Sequence, residues 1–277
     1  NWGKAAPGGI GVVDGYGVAT GGTSSPITVG GQTYTLLTFT VDSTLTVSSA
    51  GLFDVMLVGG GSGGWYGTIA GGGGAAGGLL QQTIYLSAAT YTVDIGAGGP
   101  AVTNELNQSV GLPTTLGVSP SGLTAVGGLY QFLSGSAGAT SGVIGSLGGA
   151  INSQTAGGSN NVQGFKGGNS TATTNAGAGG GAGSVGGNGA TTVGGVGGTG
   201  FDASAFRGKV ANTTRLAGGG GGGASVTQGS GTDGGGDAGA VTGENGTDNT
   251  GGGGGGVAAS GTAGSGGSGV LLVRFKV

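Results

Sequence analysis

Two runs of six glycines, GGGGGG at residues 218–223 and again at residues 251–256, decide the fold that this sequence predicts. Glycine loses more conformational freedom on folding than any other residue, at roughly 0.5–1 kcal/mol relative to alanine in a helix or strand. Such runs therefore indicate a structure that admits no side chain at these positions. Only glycine fits at the crowded positions where chains of polyproline-II geometry, with three residues per turn, pack side by side. We predict that the runs form polyglycine-II rods, which bundle into a core made of backbone.

Further glycine runs extend this pattern along the chain. The predicted polyglycine-II bundle comprises residues 59–78, 96–99 and 177–269. A larger residue within a run is expected to disrupt the packing of neighbouring rods. The glycines predicted to be structural are Gly59, Gly60, Gly61, Gly218, Gly220, Gly223, Gly251, Gly253 and Gly256.

The composition favours an ordered chain. Glycine accounts for 81 of the 277 residues, and the five prolines are too few for collagen, which also needs glycine at every third position. Disorder is the alternative interpretation, but disordered chains combine low hydrophobicity with high charge. Here only 6% of the residues are charged, 35% are hydrophobic and the mean hydropathy is +0.20. A chain of this kind is expected to fold.

The sequence lacks the residues that several functional classes require. The sequence contains no cysteine and no histidine, which excludes disulfides, thiolate metal sites, cysteine nucleophiles and histidine bases. Its ten carboxylates form no recognisable acid pair, so no enzyme, no metal site and no cofactor is predicted. A net charge of −3 offers no basic field for nucleic acid. The uncharged stretch 55–80 is nearly half glycine, which argues against membrane insertion.

The strand pattern predicts a mainly β protein, with a small antiparallel β-sheet or sandwich joined to the bundle and essentially no α-helix. Strands are expected within residues 34–58, 79–95 and 270–277, where apolar residues alternate with period two. Residues 79–86 and 90–95 read as the two arms of a hairpin. Residues 1–31 are rich in turn signals and are predicted to be an N-terminal arm or linker. The glycine-rich domain is then expected to span residues 32–277.

The order of strands and glycine runs gives a coarse geometry. The strand 53–58 enters the glycines 59–61, and the run 71–78 leads directly into the strand 79–86. This order predicts a long hairpin of strand, rod, loop, rod and strand. The loop that carries Trp65 and Tyr66 is then expected at the end of the bundle far from the sheet. By the same counting from the C-terminus, residues 257–263 are also distal.

Nucleotide-binding motifs are only partly matched. FDVMLVGGGSGG at residues 53–64 looks like the strand and glycine turn of a dinucleotide site. That site also needs a following helix and an acidic residue about 20 residues later, where this chain has Gln81 and Gln82. A P-loop needs Gly-Lys-Ser/Thr, and residues 208–210 read Gly-Lys-Val. Neither nucleotide site is predicted.

Calcium binding is weakly indicated. A glycine-rich calcium repeat occurs once, as GGTGFD at residues 197–202, although such sites need tandem copies. A looser acidic group leaves weak calcium binding open, with solubility as its favoured role. Its members are Asp233, Asp237, Glu244 and Asp248.

Binding to a partner remains as the expected activity. Aromatic and cationic side chains are rare in this chain, lie in linkers, and are the usual anchors of interfaces. The alternative is that these rings cover rod ends or pack on the sheet, and the sequence leaves both interpretations open. The candidate receptor-binding residues are Trp65, Tyr66, Phe165, Lys166, Phe201, Phe206, Arg207 and Lys209.

Three segments carry a family resemblance, namely TYTLLTFTVDSTLTVSSAGLFDVMLVGGGSGG at 33–64, GGGGAAGGLLQQTIYLSAATYTVDIGAGG at 71–99 and GSGGSGVLLVRFKV at 264–277. With the glycine runs between them, they resemble the glycine-rich domain of bacteriophage tail-fibre and tail-tip proteins over residues 32–277. The chain is also similar in style to the distal adhesins of T-even-like phages, in which polyglycine-II bundles present loops to a host receptor. It departs from them in its long non-glycine linkers between residues 101 and 165 and in its sparse aromatic residues.

The resemblance implies an extracellular location on the virion, in the phage tail. The implied partners are a bacterial surface polysaccharide or outer-surface protein and other phage tail proteins, and a homotrimer is an open alternative to a monomer. The expected function is that of a non-catalytic receptor-binding protein for host attachment. A purely structural virion or cell-surface spacer is the first alternative. An ice-binding protein is the second, although the sequence shows no regular threonine or alanine spacing.

Overall fold

The computed structural model describes residues 15–67, 69–104, 109–117, 122–129, 146, 148–150 and 163–277. Within these residues the chain is all β and contains no helix, as the sequence predicts. The strands in chain order are β1 (Val18–Thr20), β2 (Thr23–Val29), β3 (Gln32–Phe39), β4 (Ser43–Ser49), β5 (Gly51–Val58), β6 (Leu79–Leu86), β7 (Ala89–Asp94), β8 (Thr114–Leu116), β9 (Leu123–Ala125), β10 (Phe201–Asp202), β11 (Arg215–Leu216) and β12 (Val270–Lys276).

Two five-stranded antiparallel sheets form a sandwich. The first sheet has the order β2-β3-β12-β5-β6 and the second the order β1-β4-β7-β8-β9. Period-two alternation places Phe39 and Phe53 of the first sheet in one apolar core with Leu45 and Val93 of the second. β12 lies between β3 and β5, so the last strand completes a sheet begun in the first part of the chain.

The first sheet buries both of its faces. Leu36, Met56 and Leu272 point away from the sandwich core and pack against residues 201–217. This segment carries the two-stranded ribbon β10-β11. We call it the cover segment because it covers the outer face of the first sheet.

The predicted N-terminal arm is wrong for the described part of residues 1–31; residues 1–14 lie outside the described residues. β1 pairs with β4, and β2 pairs along its whole length with β3. The turn between β2 and β3 has positive φ at both Gly30 (57°) and Gly31 (82°), as a tight hairpin turn requires. The alternation of β2 is weak because this edge strand exposes serines and threonines.

The predicted hairpin of residues 79–86 and 90–95 is also wrong. β6 pairs with β5 in the first sheet, whereas β7 pairs with β4 and β8 in the second. Ser87 and Ala88 carry the chain from one sheet to the other. Both strands alternate in the same way, so the pattern alone does not distinguish a hairpin from a crossover between sheets.

The glycine runs form rods whose backbone hydrogen bonds repeat every three residues. In the run 218–223, N–H groups three residues apart donate to the same neighbouring rod, and the two N–H groups between them donate to other rods. The donor–acceptor pairs are Gly219–Gly198, Gly222–Gly195, Gly220–Gly74, Gly223–Gly71 and Gly221–Gly236. This repeat is the threefold symmetry of polyproline-II geometry.

The rod of residues 251–256 lies in the interior of the bundle. All of its residues are buried. Each of its carbonyl groups accepts a backbone hydrogen bond from another rod, so its polar groups are satisfied without water. The segments that exchange hydrogen bonds with it are 59–65, 71–78, 218–223, 234–239, 243–247 and 264–269.

The strands β5 and β6 continue into rods without a change of register. The strand pair ends at Val58↔Leu79. The next donor–acceptor pairs are Gly59–Gly78, Ser62–Ala75 and Trp65–Gly72. β5 and β12 continue in the same way after Val58↔Val270, through Gly61–Gly267 and Gly64–Gly264. Sheet and bundle are therefore one hydrogen-bonded framework.

Contact between backbones explains the glycines at these positions. A Cβ added at Gly220 or Gly253 would overlap a carbonyl oxygen of the adjacent rod, and Gly251 has a φ of 69°. An added Cβ at Gly223 would lie 2.8 Å from the carbonyl oxygen of Val257. The other predicted structural glycines, at which an added Cβ would also overlap a backbone oxygen, are Gly59, Gly60, Gly61, Gly218 and Gly256.

Outer rods expose one residue in three. Val193, Val196 and Thr199 are exposed, while the glycines between them are buried. Thr262, Ser265 and Ser268 are half-buried and follow the same spacing, with buried residues between them. The spacing extends over short stretches, so it does not emerge as a repeat of the whole sequence.

Parts of the glycine-poor segment 101–165 also belong to the bundle. The N–H group of Gly111 donates to Gly128, whose own N–H group donates to Gly60. The N–H group of Gly149 donates to Gly73. These glycines occur singly or in pairs, so the sequence does not mark them as rods.

Candidate functional site

The rods end, on the side away from the sandwich, in a group of short loops that we call the loop pole. β5 fixes this direction, because it leaves the sandwich at Val58 and its rod reaches a loop after Trp65. The antiparallel and parallel pairings of the other rods then assign each turn to one end of the bundle. The described loops of the loop pole are 65–67, 69–70, 103–104, 171–175, 190–193, 224–228, 240–242 and 258–262.

Hydrogen bonds join three of these loops to one another. The side chain of Asn175 is buried, and its Nδ2 donates to the carbonyl of Thr191 at 3.0 Å. Thr174 Oγ1 donates to the same carbonyl at 2.6 Å. The N–H group of Ser225 donates to Thr174 O at 2.9 Å, and that of Thr227 to Thr192 O at 3.1 Å. These loops are therefore held in a fixed arrangement.

Two further loops of the loop pole, 240–242 and 258–262, are also joined to each other by hydrogen bonds. The N–H group of Thr262 donates to Val241 O at 3.0 Å, and that of Ala259 donates to Ala240 O at 3.1 Å. Within loop 224–228, Gln228 closes a ring of two hydrogen bonds with the backbone of Ala224. Gln228 therefore satisfies both backbone groups of Ala224.

The described part of the loop pole carries no charged side chain. Its most exposed apolar residues are Val226 (70% exposed), Val241 (60%), Ile69 (46%) and Val193 (44%). The exposed hydroxyl groups between them belong to serines and threonines of the same loops. The described part of this surface is thus neutral, with methyl groups and hydroxyl groups side by side. Such a surface suits a neutral, partly apolar partner.

Two of the predicted receptor-binding residues lie at the loop pole but are turned inward. Trp65 is buried and packs against Ala70 and Ala176, where it covers the ends of rods. Tyr66 is half-buried against an apolar cluster that includes Val257. These two aromatic side chains therefore pack between the loops and the ends of the rods.

Phe165 and Lys166 lie on the flank of the bundle. Both are half-buried, and both belong to a rod that is hydrogen-bonded on either side. The N–H group of Phe165 donates to Gly181 at 3.1 Å, and the carbonyl of Lys166 accepts from Gly186 at 3.0 Å. The structure does not bring them together with Trp65 or Tyr66.

The remaining predicted residues lie in the cover segment, at the sandwich end of the molecule. Phe206 is buried and Phe201 half-buried on the outer face of the first sheet. A buried Phe206 is not available to a partner, so the receptor-binding prediction is corrected for this residue. Arg207 is half-buried and Lys209 is exposed. The eight candidates therefore do not form one site.

The cover segment owes its shape to two buried or half-buried polar groups. Asp202 accepts hydrogen bonds from the N–H groups of Ser204 at 3.0 Å and Asn212 at 2.9 Å. Hydrogen bonding, first from Ser204 and then from the backbone of Asn212, lowers the pKa of Asp202. Ser204 Oγ in turn accepts from the N–H groups of Thr213 and Thr214.

Sequence reasoning missed the exposed valines of the loop pole. Val226 and Val241 stand between small residues in Ser-Val-Thr and Ala-Val-Thr, each flanked by glycine rods. A β-branched apolar residue in a loop between two rods has no core to enter. That combination is the signal that could have found them.

The described residues form no cluster of carboxylates and no long apolar helix. No three carboxylates among them come together as a metal site would need. Asp233, from the looser acidic group, accepts a hydrogen bond from the Gly200 N–H at 2.7 Å and lies 3.9 Å from Arg215. Those same residues include no helix with the length and apolar character of a membrane span.

The strands and rods described above lie in a region of the chain that matches a known protein family. A family model described as a glycine-rich domain matches residues 38–276. The chain belongs to this glycine-rich domain family. The match begins within β3 and ends with β12, so it takes in the rod bundle and most of the sandwich. A search of the curated proteins gives no match to this chain.

Proposed function

We propose that this glycine-rich domain is the receptor-binding tip of a bacteriophage tail fibre, a non-catalytic virion adhesin that attaches to a bacterial host through its loop pole. The observation that carries the proposal is the loop pole itself. A hydrogen-bonded bundle of backbone holds short, cross-linked loops together at one end, and these loops expose valines to solvent. Exposed apolar groups on a rigid support are typical of a binding surface.

The chemistry of the loop pole favours an outer-surface protein over a polysaccharide as the receptor. Sugar-binding sites use exposed aromatic faces, whereas Trp65 is buried and Tyr66 half-buried. Exposed valines and hydroxyl groups match a neutral protein surface with backbone and methyl groups. Because the described loops carry no charge, binding is expected to depend little on salt.

Replacing loop valines by aspartate tests this proposal. Val226→Asp and Val241→Asp place a charge where the partner would exclude water, so the affinity for host cells is expected to fall at least about tenfold, or roughly 1.4 kcal/mol. Both side chains are exposed, so the melting temperature should stay unchanged. The measurement is adsorption of the purified, labelled protein to a panel of bacterial strains.

Val210→Asp provides the matched control. Val210 is 78% exposed but lies in the cover segment at the sandwich end, so the same substitution there should leave adsorption intact. Equal adsorption of all three variants would contradict the loop pole as the binding surface. Wild-type protein that binds no host cell and does not compete with the phage would favour the structural spacer instead.

One observation favours ice binding as a second candidate function. Val193, Val196 and Thr199 recur at every third residue of an outer rod, so their exposed side chains lie in one line along the surface of the bundle. Measurable thermal hysteresis in a solution of the wild-type protein would support this candidate. Its absence, together with adsorption to host cells, would leave the adhesin.

A further inference from the structure

The basic residues of this acidic protein gather at the sandwich end. The chain has a net charge of −3, yet five of the six lysines and arginines in its described part lie in the cover segment or at the end of β12. These five are Arg207, Lys209, Arg215, Arg274 and Lys276, and the sixth, Lys166, lies on the flank of the bundle.

Two of the five are neutralised within the structure. Arg274 Nε donates to Asp54 Oδ2 at 3.0 Å. Arg215 lies 3.9 Å from Asp233 and donates to the side chain of Asn212 at 2.7 Å. No carboxylate of the described residues pairs with Arg207, Lys209 or Lys276.

Arg207 is the unusual member of this group. Its guanidinium is half-buried, and its Nε is buried without a hydrogen-bond partner among the described residues. Burial lowers the pKa of Arg207, because the charged form has lost water and gained no anion in return. A desolvated guanidinium presents a planar fork of donors that matches an oxyanion.

The three unpaired cations belong to one region of the surface. Gly208, between Arg207 and Lys209, lies against β2, where its added Cβ would be 3.2 Å from the Ile27 Cβ. Ile27 pairs with Tyr34 of β3, and Tyr34 pairs with Lys276 of β12. Adjacent strands are about 4.8 Å apart, so Lys276 and Ile27 are about 10 Å apart on the same face of the sheet.

We propose that Arg207, Lys209 and Lys276 form a docking surface for an acidic polypeptide segment of a partner protein. An extended segment with several carboxylates can reach all three cations, whereas a single small anion cannot span them. Tyr16 and Tyr34 lie beside this surface in an edge-to-face pair with ring centroids 5.9 Å apart, which adds the rigid aromatic area found at protein interfaces. The surface lies at the end opposite the loop pole, so it is free when the loops are engaged.

Binding of a fluorescein-labelled polyglutamate peptide to the full chain tests the docking surface. At low salt the wild-type protein is expected to bind the peptide, with an affinity that falls as salt is added. Arg207→Gln should weaken binding at least tenfold and Lys276→Gln several-fold. Lys166→Gln removes the same charge from the bundle flank and should bind like the wild type. Fluorescence anisotropy gives the affinities, and a melting curve for each variant verifies its fold.

Three results would overturn the proposal. They are the absence of peptide binding by the wild type at low salt, equal binding by the Arg207→Gln, Lys276→Gln and Lys166→Gln variants, and tighter binding of inorganic phosphate than of the peptide. Lys276 is exposed, so its variant remains informative even if Arg207→Gln fails to fold. Adsorption to host cells should be unchanged in Lys276→Gln, which separates this surface from the loop pole.

Discussion

At Gly220 the carbonyl of Gly254 occupies the space that a side chain would need, and the N–H and C=O groups of Gly220 bond to Gly74 and Gly179. A valine there must push a backbone aside and break hydrogen bonds that no water can replace. We expect Gly220→Val to lower the free energy of unfolding by about 3 kcal/mol or more, at the upper end of overpacking costs. Denaturant unfolding followed by circular dichroism measures this change.

Thr227→Val is the matched control for the rod interior. Thr227 is exposed in a loop of the loop pole, so valine there meets no neighbouring backbone. Its unfolding midpoint should stay within experimental error of the wild type. Equal midpoints for the Gly220 and Thr227 variants would show that the rod does not depend on close backbone contact.

Arg274 holds the cover segment on the first sheet. Its guanidinium lies 4.5 Å from the ring centroid of Phe206 and 4.9 Å from that of Tyr34, and Nη1 donates to the carbonyls of Ala205 and Phe206. Because Asp54 is largely buried beside it, Arg274→Met leaves a carboxylate without its partner. We expect a loss of about 3 kcal/mol in unfolding free energy and faster proteolysis within residues 201–217.

The double variant Asp54→Asn/Arg274→Met distinguishes the contribution of the ion pair to stability from that of packing. Asp54→Asn removes the stranded charge, so adding it to Arg274→Met should recover part of the lost stability if the carboxylate is the cause. A double variant no more stable than Arg274→Met alone would assign the loss to the rings and carbonyls instead. Limited proteolysis followed by mass spectrometry locates the cleavage sites.

At the scale of elements, strands and rods are continuous. β5 passes into the rod 59–65 with its pairing to both neighbours in register, so the order of residues 53–86 sufficed to predict a long hairpin with a distal loop. Six consecutive glycines likewise predict a buried rod, because only close backbone packing explains them. Short-range patterns of this kind can be read from sequence since each is set by residues that are adjacent in the chain.

The positions of other elements could not be predicted from the sequence, for physical reasons. Gly111 and Gly128 join the bundle through partners far away in the chain, and nothing beside them marks a rod. The choice of β6 and β7 for different sheets depends on packing across the sandwich. Phe206 reads as an exposed anchor because a lone aromatic in a linker looks the same whether it meets a partner or covers a sheet.

At the scale of the whole molecule, two different interiors share one framework. The sandwich buries apolar side chains such as Phe39 and Phe53, whereas the bundle buries peptide groups that are hydrogen-bonded to one another. Since the rods continue the sheet in register, neither part has a boundary at which it could separate. We therefore expect one cooperative unfolding transition for both parts.

The mixed interior has a consequence for the heat capacity of unfolding. Newly exposed apolar surface raises the heat capacity by about 0.45 cal/K/mol per Å², whereas newly exposed polar surface lowers it by about 0.26. Unfolding the bundle exposes mainly peptide groups, so the change per residue should fall below the usual range of about 12–15 cal/mol/K. The slope of the calorimetric unfolding enthalpy against the melting temperature gives this heat-capacity change directly. A heat-capacity change within the usual range would mean that the bundle buries as much apolar surface as an ordinary core. Two separate unfolding transitions would mean that the shared register does not couple the sheet to the rods.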